Sequence, residues 1–184
     1  VYLGQVKRSS GPYDEEIYTA SKLSGVEPEL IAGHIMAESA YRPDATHVDA
    51  DGGISYGLMQ VRLDTAQRLL GRPELTPSIL LDPKTNILAG TKIIQNNLIK
   101  YKNGPDAIAA YNAGIPRKNT QGQYINSKGS TVVQDYVNRV SGYYNQYKSG
   151  APFKPIVLAL EQLIIPIGAV LIAGLGFILL KRSR

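Results

Sequence analysis

The chain has 184 residues, 43% of them hydrophobic and 19% charged, which allows one domain with a real core plus one further element and excludes a disordered chain. There is no cysteine and there are only two histidines, His34 and His47, which excludes disulfides, thiolate metal sites and a histidine-rich metal site. The net charge of +5 overstates how basic the domain is: Lys154, Lys181, Arg182 and Arg184 against Glu161 leave the first 153 residues at +2, and without a basic stripe interleaved with aromatics nucleic acid is not an expected partner.

Residues 1–12 read as an N-terminal arm, and "VYLGQVKRSSGPYDEE" lacks the apolar run of a secretory leader. The stretch 13–147 reads as mainly α, one helical domain. "YDEEIYTASKLSG" opens acidic and closes at Gly25, the charge order that a helix dipole favours. "PELIAGHIMAESA" puts Pro28 in a first turn and keeps Leu30, Ile31, Ile35 and Met36 on a helical stripe. "GLMQVRLDTAQRLLG" predicts a shorter helix ending at Gly71. "PKTNILAGTKIIQNNLIKY" spaces Ile87, Thr91, Ile94 and Leu98 by four, three and four. "GPDAIAAYNAG" is a short apolar helix between glycines, and "TVVQDYVNRVSGYYNQY" sets Val133, Tyr136, Val137 and Val140 on one side. Alternating strand patterns are scarce.

After a Gly- and Pro-bearing linker at 148–155, residues 163–180, "LIIPIGAVLIAGLGFILL", carry no charge and reach roughly 27 Å as a helix, close to the hydrocarbon thickness of a bilayer. The segment 156–180 therefore reads as a C-terminal transmembrane or membrane-inserting helix; a buried core helix, or one packed in a homo-oligomer, is the other reading. The closing 181–184, "KRSR", suits the cytoplasmic side of a membrane.

Glu38, in "IMAESAYRP", raises the chemical question. It follows Ile31 and Ile35 by seven and three residues, which places it near the apolar face of its helix. A carboxyl held there loses hydration, its neutral form is favoured and its pKa rises, as a general acid working near neutral pH requires. A capping or exposed glutamate at a helix end is the alternative on spacing alone. Tyrosine hydroxyls can hold a protonated carboxyl in one rotamer.

In chain order, "ES" at Glu38-Ser39, "GLMQ" at Gly57 to Gln60, "AYNAG" at Ala110 to Gly114 and "YVNRV" at Tyr136 to Val140 resemble the soluble lytic transglycosylase family over roughly Tyr13 to Tyr147. The resemblance implies a goose-type lysozyme-like fold and cleavage of the β-1,4 bond between N-acetylmuramic acid and N-acetylglucosamine in peptidoglycan, with no cofactor. By position, Glu38 resembles the single acid/base, which protonates the glycosidic oxygen and then takes the proton of the muramic C6 hydroxyl as a 1,6-anhydro ring closes. Ser39, Gln60, Tyr111, Asn112 and Tyr136 fall on motif positions that line the groove or stand beside the acid, and Tyr111, Asn112 and Gln60 supply the aromatic wall and the amides that a sugar's face and its hydroxyl and acetamido groups need.

Three features depart from the family pattern. Arg62 stands where the family has a methionine facing the groove, and either meets a peptide carboxylate or is solvated. Val132-Val133 replaces an "ET" pair, so one accessory carboxylate is missing. The loop "YRPDATHVDADGGISY" is longer than the resemblance leads one to expect and carries Asp44, Asp49 and Asp51. Asp49 or Asp51 could activate water, giving a hydrolysing lysozyme; the stretch is otherwise a solvated turn, and it lacks calcium-loop spacing. His47 in that loop is expected to be exposed. The polar "GIPRKNTQGQYINSKGS" reads as a loop bordering the groove, where Arg117, Lys118 and Lys128 could meet acidic stem peptides. The partners expected are peptidoglycan glycan strands and, through the tail helix, a lipid bilayer or a phage or secretion conduit. The setting suggested is a phage virion acting on the host envelope with the catalytic domain facing the periplasm, the alternatives being a bacterial secretion or pilus enzyme and an inactive wall-binding scaffold whose tail forms an oligomeric channel.

Overall fold

Local signals set the helices of this computed structural model, which describes residues 12–49 and 51–150. The first helix, α1 (Asp14–Ser24), has Asp14, Glu15 and Glu16 in its first turn and Lys22 in its last, and it stops where Gly25 turns left-handed. Pro28 opens α2 (Pro28–Ser39). Asp82 caps α5 (Pro83–Tyr101), accepting the Thr85 N–H at 2.9 Å, and Asn103 caps α6 (Gly104–Ala113) through the Asp106 N–H at 3.1 Å. The long helix α7, the last among the described residues, covers Val132–Lys148. Between α2 and α5 lie α3 (Leu63–Leu70) and α4 (Pro77–Leu80).

The five strands among the described residues were not visible as a sequence pattern. In a three-stranded antiparallel sheet, β1 (Thr46–Val48) and β2 (Ile54–Tyr56) occupy the region read as a loop and β3 (Val61–Arg62) part of the segment read as a helix, and β4 (Arg117–Lys118) pairs β5 (Tyr124–Ile125) in the later polar segment. Strands of two or three residues are too short for a period of two to register. The helix expected over 57–71 begins only at Leu63, because Gly57 at φ 73° and Gln60 at φ 47° make residues 57–60 a turn that feeds β3.

Two apolar clusters hold the fold. Ile17, Ile31, Ile35, Leu58, Met59 and Ile87 join α1, α2, the 57–60 turn and α5. Ile108, Tyr124, Val133, Tyr136, Val137 and Val140 join α6 to the buried face of α7. Most of the stripes expected on α5 and α7 are buried: Ile87, Thr91 and Ile94 are at most 2% exposed, and Val133, Tyr136 and Val140 likewise, while Leu98 is half-buried. The broadest helix–helix contact is α2 against α7. Gly33 permits it, since a Cβ there would stand 3.2 Å from the Val140 carbonyl oxygen and 3.3 Å from the Tyr144 nitrogen.

All described residues belong to one compact unit, Val1–Lys154. Among them no helix is long and apolar enough to cross a membrane. The N-terminal arm, apart from Pro12, lies outside the described residues, as do the end of the linker, the apolar segment 156–180 and the basic 181–184.

Candidate active site

Helix α2 carries Glu38 in its last turn, below the fully buried Ile31 and Ile35. The side chain is half-buried. From α7, the Tyr136 hydroxyl donates to Glu38 Oε1 at 2.6 Å. Loss of hydration pushes the Glu38 carboxyl up to about 7; the Tyr136 hydrogen bond and the Arg139 charge pull against this, and the negative charge of Asp49 adds to it. The apolar setting therefore outweighs the two groups that favour ionisation. At neutral pH Glu38 exists in both forms, one able to give a proton and one able to take it.

Behind Tyr136 stands His34, one helical turn before Glu38. Its Nδ1 lies 2.9 Å from the Tyr136 hydroxyl oxygen, and its ring centroid lies 4.5 Å from that of Tyr111. Burial pushes the imidazole down to about 3, so the ring is neutral wherever Glu38 titrates. Tyr111, on α6, donates its hydroxyl to the Met59 carbonyl at 2.8 Å, which ties α6 to the 57–60 turn.

That turn is held from several sides. The Gly57 N–H donates to the Ala45 carbonyl at 2.7 Å, and Gln60 Nε2 donates to the carbonyls of Ala45 and Gly57 at 3.0 and 2.9 Å. Asn86, fully buried on α5, accepts the Met59 N–H at 2.8 Å and donates to the carbonyls of Tyr56 and Leu80 at 2.8 and 2.9 Å. Gly57 must be glycine twice over: φ is 73°, and a Cβ would meet the Asn86 amide at 2.5 Å.

The residues singled out by sequence thus take different places. Glu38, Tyr111 and Tyr136 converge, and Gln60 adjoins them through Met59 and Tyr111. Because the Gln60 amide nitrogen is committed to backbone, its side-chain carbonyl is the end that can meet a ligand. Ser39 was expected to touch substrate, but it is 3% exposed and donates to the carbonyls of Leu58 and Ile35 at 2.8 and 3.2 Å, so it joins α2 to the turn from inside. Asn112 is exposed near the end of α6.

Arg62 meets carboxylates of its own chain: Asp51 at 2.7 Å, Asp64 at 3.7 Å and Asp49 at 3.8 Å. It braces the β1–β2 hairpin, and a Cβ at Gly53 would run into its guanidinium at 2.4 Å. Asp51 is exposed and paired with that arginine. Asp49 accepts from Ser55 Oγ at 3.0 Å, and its charge is the one felt by Glu38. His47 is exposed on β1. Lys118 pairs with Asp106 at 3.1 Å, where Tyr124 also donates, so the β4–β5 hairpin is pinned to α6. Sequence reasoning missed His34 and Asn86, and the only signal available was a polar residue set among apolar helix positions.

The Transglycosylase SLT domain family matches residues 15–133. The Salmonella typhimurium invasion protein IagB is 31% identical over 99 residues, covering 54% of this chain and 62% of that protein. A transglycosylase of Enterobacteria phage PRD1 is 31% identical over 105 residues, 57% of this chain and 36% of the relative. Among solved structures, an inactive glutamate-to-glutamine mutant of the lytic transglycosylase Slt from Pseudomonas aeruginosa superposes with a TM-score of 0.62 at 26% identity, covering 84% of this chain and 27% of that one. The chain thus spans less than two thirds of these relatives' own lengths.

Proposed function

The chain belongs to the Transglycosylase SLT domain family, and from that premise we propose that it is a peptidoglycan lytic transglycosylase that uses Glu38 as its single acid/base. The observation that carries this reading is the half-buried Glu38 carboxyl, raised to about 7 and gripped at Oε1 by Tyr136. The protonated acid gives its proton to the oxygen that bridges N-acetylmuramic acid and N-acetylglucosamine. The C1–O4 bond breaks and the N-acetylglucosamine leaves with a 4-hydroxyl. Glu38, now a carboxylate, takes the proton of the muramic C6 hydroxyl as its oxygen bonds to C1, closing the 1,6-anhydro ring. The proton count balances, Glu38 ends as it began, and no water is consumed. Tyr111, the Gln60 carbonyl and the exposed Asn112 are the groups proposed to meet the sugars.

The test is cleavage of purified murein by wild type and Glu38→Gln side by side, with product masses. Glu38→Gln keeps the shape and the acceptor for Tyr136 but has no proton to give, so a loss of about 10²–10⁴-fold is expected. Undiminished cleavage refutes the assignment. Anhydro products, each one water lighter than the hydrolytic product, are expected from wild type.

A second reading is favoured by Asp49, whose charge reaches Glu38 from the hairpin. A second carboxylate across the bond could activate water and make the enzyme a hydrolysing lysozyme. Products retaining the water, lost with Asp49→Asn, would establish that reading.

The setting we propose is a virion-borne enzyme that opens the host wall locally as a phage genome enters, tethered through 156–180 to a bilayer or conduit. The likeness to a phage transglycosylase supports it, while the likeness to an invasion protein supports a secretion setting. Detection of the chain in purified virions decides between them.

A further inference from the structure

His34 is fully buried and has no part in the reaction as written, yet it is hydrogen-bonded to the residue that holds the acid. Tyr136 has one hydroxyl hydrogen and two partners, Glu38 Oε1 at 2.6 Å and His34 Nδ1 at 2.9 Å. An ionised carboxylate can only accept, so in that form of Glu38 the hydrogen lies toward Oε1, and it stays there when the acid's proton sits on Oε2. The second contact must then be donated by the imidazole. Nε2 is consequently a bare lone pair, and it is the ring atom that is buried with no hydrogen-bond partner among the described residues. The opposite tautomer would bury an unpaired N–H there and turn Nδ1 into a competitor for the Tyr136 hydrogen.

We infer that His34 is a positioning residue for the acid: as the Nδ1–H tautomer it donates to the Tyr136 oxygen, aims the Tyr136 hydrogen at Glu38 Oε1, and so reserves Oε2 for the proton delivered to the sugar. The inference rests on Glu38 being the acid proposed above. An acid that could carry its proton on either oxygen would present it in two directions; with Oε1 occupied, one direction remains.

The neighbours permit this order. Glu38 faces Tyr136 and Arg139 from α7, Asp49 from the hairpin and Tyr111 from α6. His34 faces the rings of Tyr111 and Tyr136, with no carboxylate among them to hold it cationic. The Tyr111 hydroxyl is committed to the Met59 carbonyl and does not compete for the imidazole. Burial alone drives the ring to its neutral form. Because the proton of His34 does not move, the chain orients Glu38 and stores no second proton.

Two measurements test the inference, both on the full chain. With ¹⁵N-histidine labelling only two ring systems appear, and exposed His47 is assigned by His47→Gln. The expected spectrum shows His34 protonated on Nδ1 and bare on Nε2, unchanged between about pH 5 and 9. An Nε2–H ring, a charged ring, or a tautomer that swaps as Glu38 titrates overturns the inference. This readout needs no turnover, so an Nδ1–H ring in a chain that fails to cleave murein upholds the hydrogen-bond order and removes only the catalytic reading.

The second measurement is kinetic. His34→Leu should lower kcat about ten-fold with KM nearly unchanged. The alkaline limb of its pH–rate profile should move up, because a less polarised Tyr136 does less to stabilise the carboxylate. His34→Asn, whose amide N–H falls near the Nδ1 position, should restore most of the loss. In a Tyr136→Phe background neither substitution should change the profile further. Additive effects there would show that His34 does not act through Tyr136.

Discussion

At residue 38 two opposing influences meet, and their balance sets how tightly the carboxyl holds its proton. Dehydration raises the carboxyl to about 7, while Tyr136 and Arg139 pull it down. Tyr136→Phe removes one restraint and the grip on Oε1 together. The expected outcome is a ten- to hundred-fold lower kcat, by the usual magnitude of acid catalysis, with the alkaline limb shifted to higher pH; a downward shift would show that the hydroxyl does not stabilise the carboxylate. Strain also gathers here, as Ala40, Tyr41 and Gln60 are non-glycine residues at φ 50°, 64° and 47°. At Ala40, the exposed C-cap of α2, glycine relieves a left-handed Cβ, so Ala40→Gly should be neutral or stabilising by up to about 1 kcal/mol in thermal unfolding. The placing of Glu38 beside the apolar face of its helix was legible, because seven- and three-residue spacings to isoleucines need only one helix to have meaning; its role as the acid came from the resemblance. His34 was not: its partner Tyr136 is 102 positions away, and nothing local distinguishes it from a core histidine.

Among the elements, the crossing of α2 and α7 and the fastening of the 57–60 turn carry the site. Gly33→Ala gains helix propensity but thrusts a methyl at the α7 backbone 3.2 Å away. Overpacking should win, lowering stability by about 1 kcal/mol, and cleavage should fall further because Tyr136 moves with α7. A rise in Tm with full activity would mean that the two helices can separate freely. Asn86→Ala strands the buried Met59 N–H and two carbonyls and should cost about 3 kcal/mol, read from denaturant unfolding at unchanged m. The helices were legible from stripes and a few end signals, Pro28 opening one and Gly25 and Gly71 closing two, whereas the Asp82 and Asn103 caps appear only in the structure. The hairpins and the turn were not, since their form depends on tertiary fastening, by Asn86 on one side and by Asp106 and Lys118 on the other.

For the whole molecule, the buried Glu38 carboxyl is a stability cost that pH reveals. A carboxyl raised to about 7 from 4.5 binds more protons in the folded than in the unfolded chain between those values, so its contribution to stability falls as pH rises through that window. His34, lowered to about 3 from 6.5, binds fewer protons when folded, so its contribution rises with pH over its own window. From pH 4.5 to 6.5 the two slopes oppose, and wild-type stability should be nearly flat there. Glu38→Gln should expose the His34 slope and exceed wild type by up to roughly 3 kcal/mol near pH 8, the gap closing below pH 4.5. Equal unfolding curves at pH 8 would show that the acid is well hydrated. On the proposed reading the same raised carboxyl governs turnover, and the most direct measurement is the pH dependence of kcat/KM on purified murein. The account predicts an alkaline limb near pH 7, present in wild type, with the activity lost in Glu38→Gln. A profile that stays level to pH 9, or that falls already below pH 5, would contradict it.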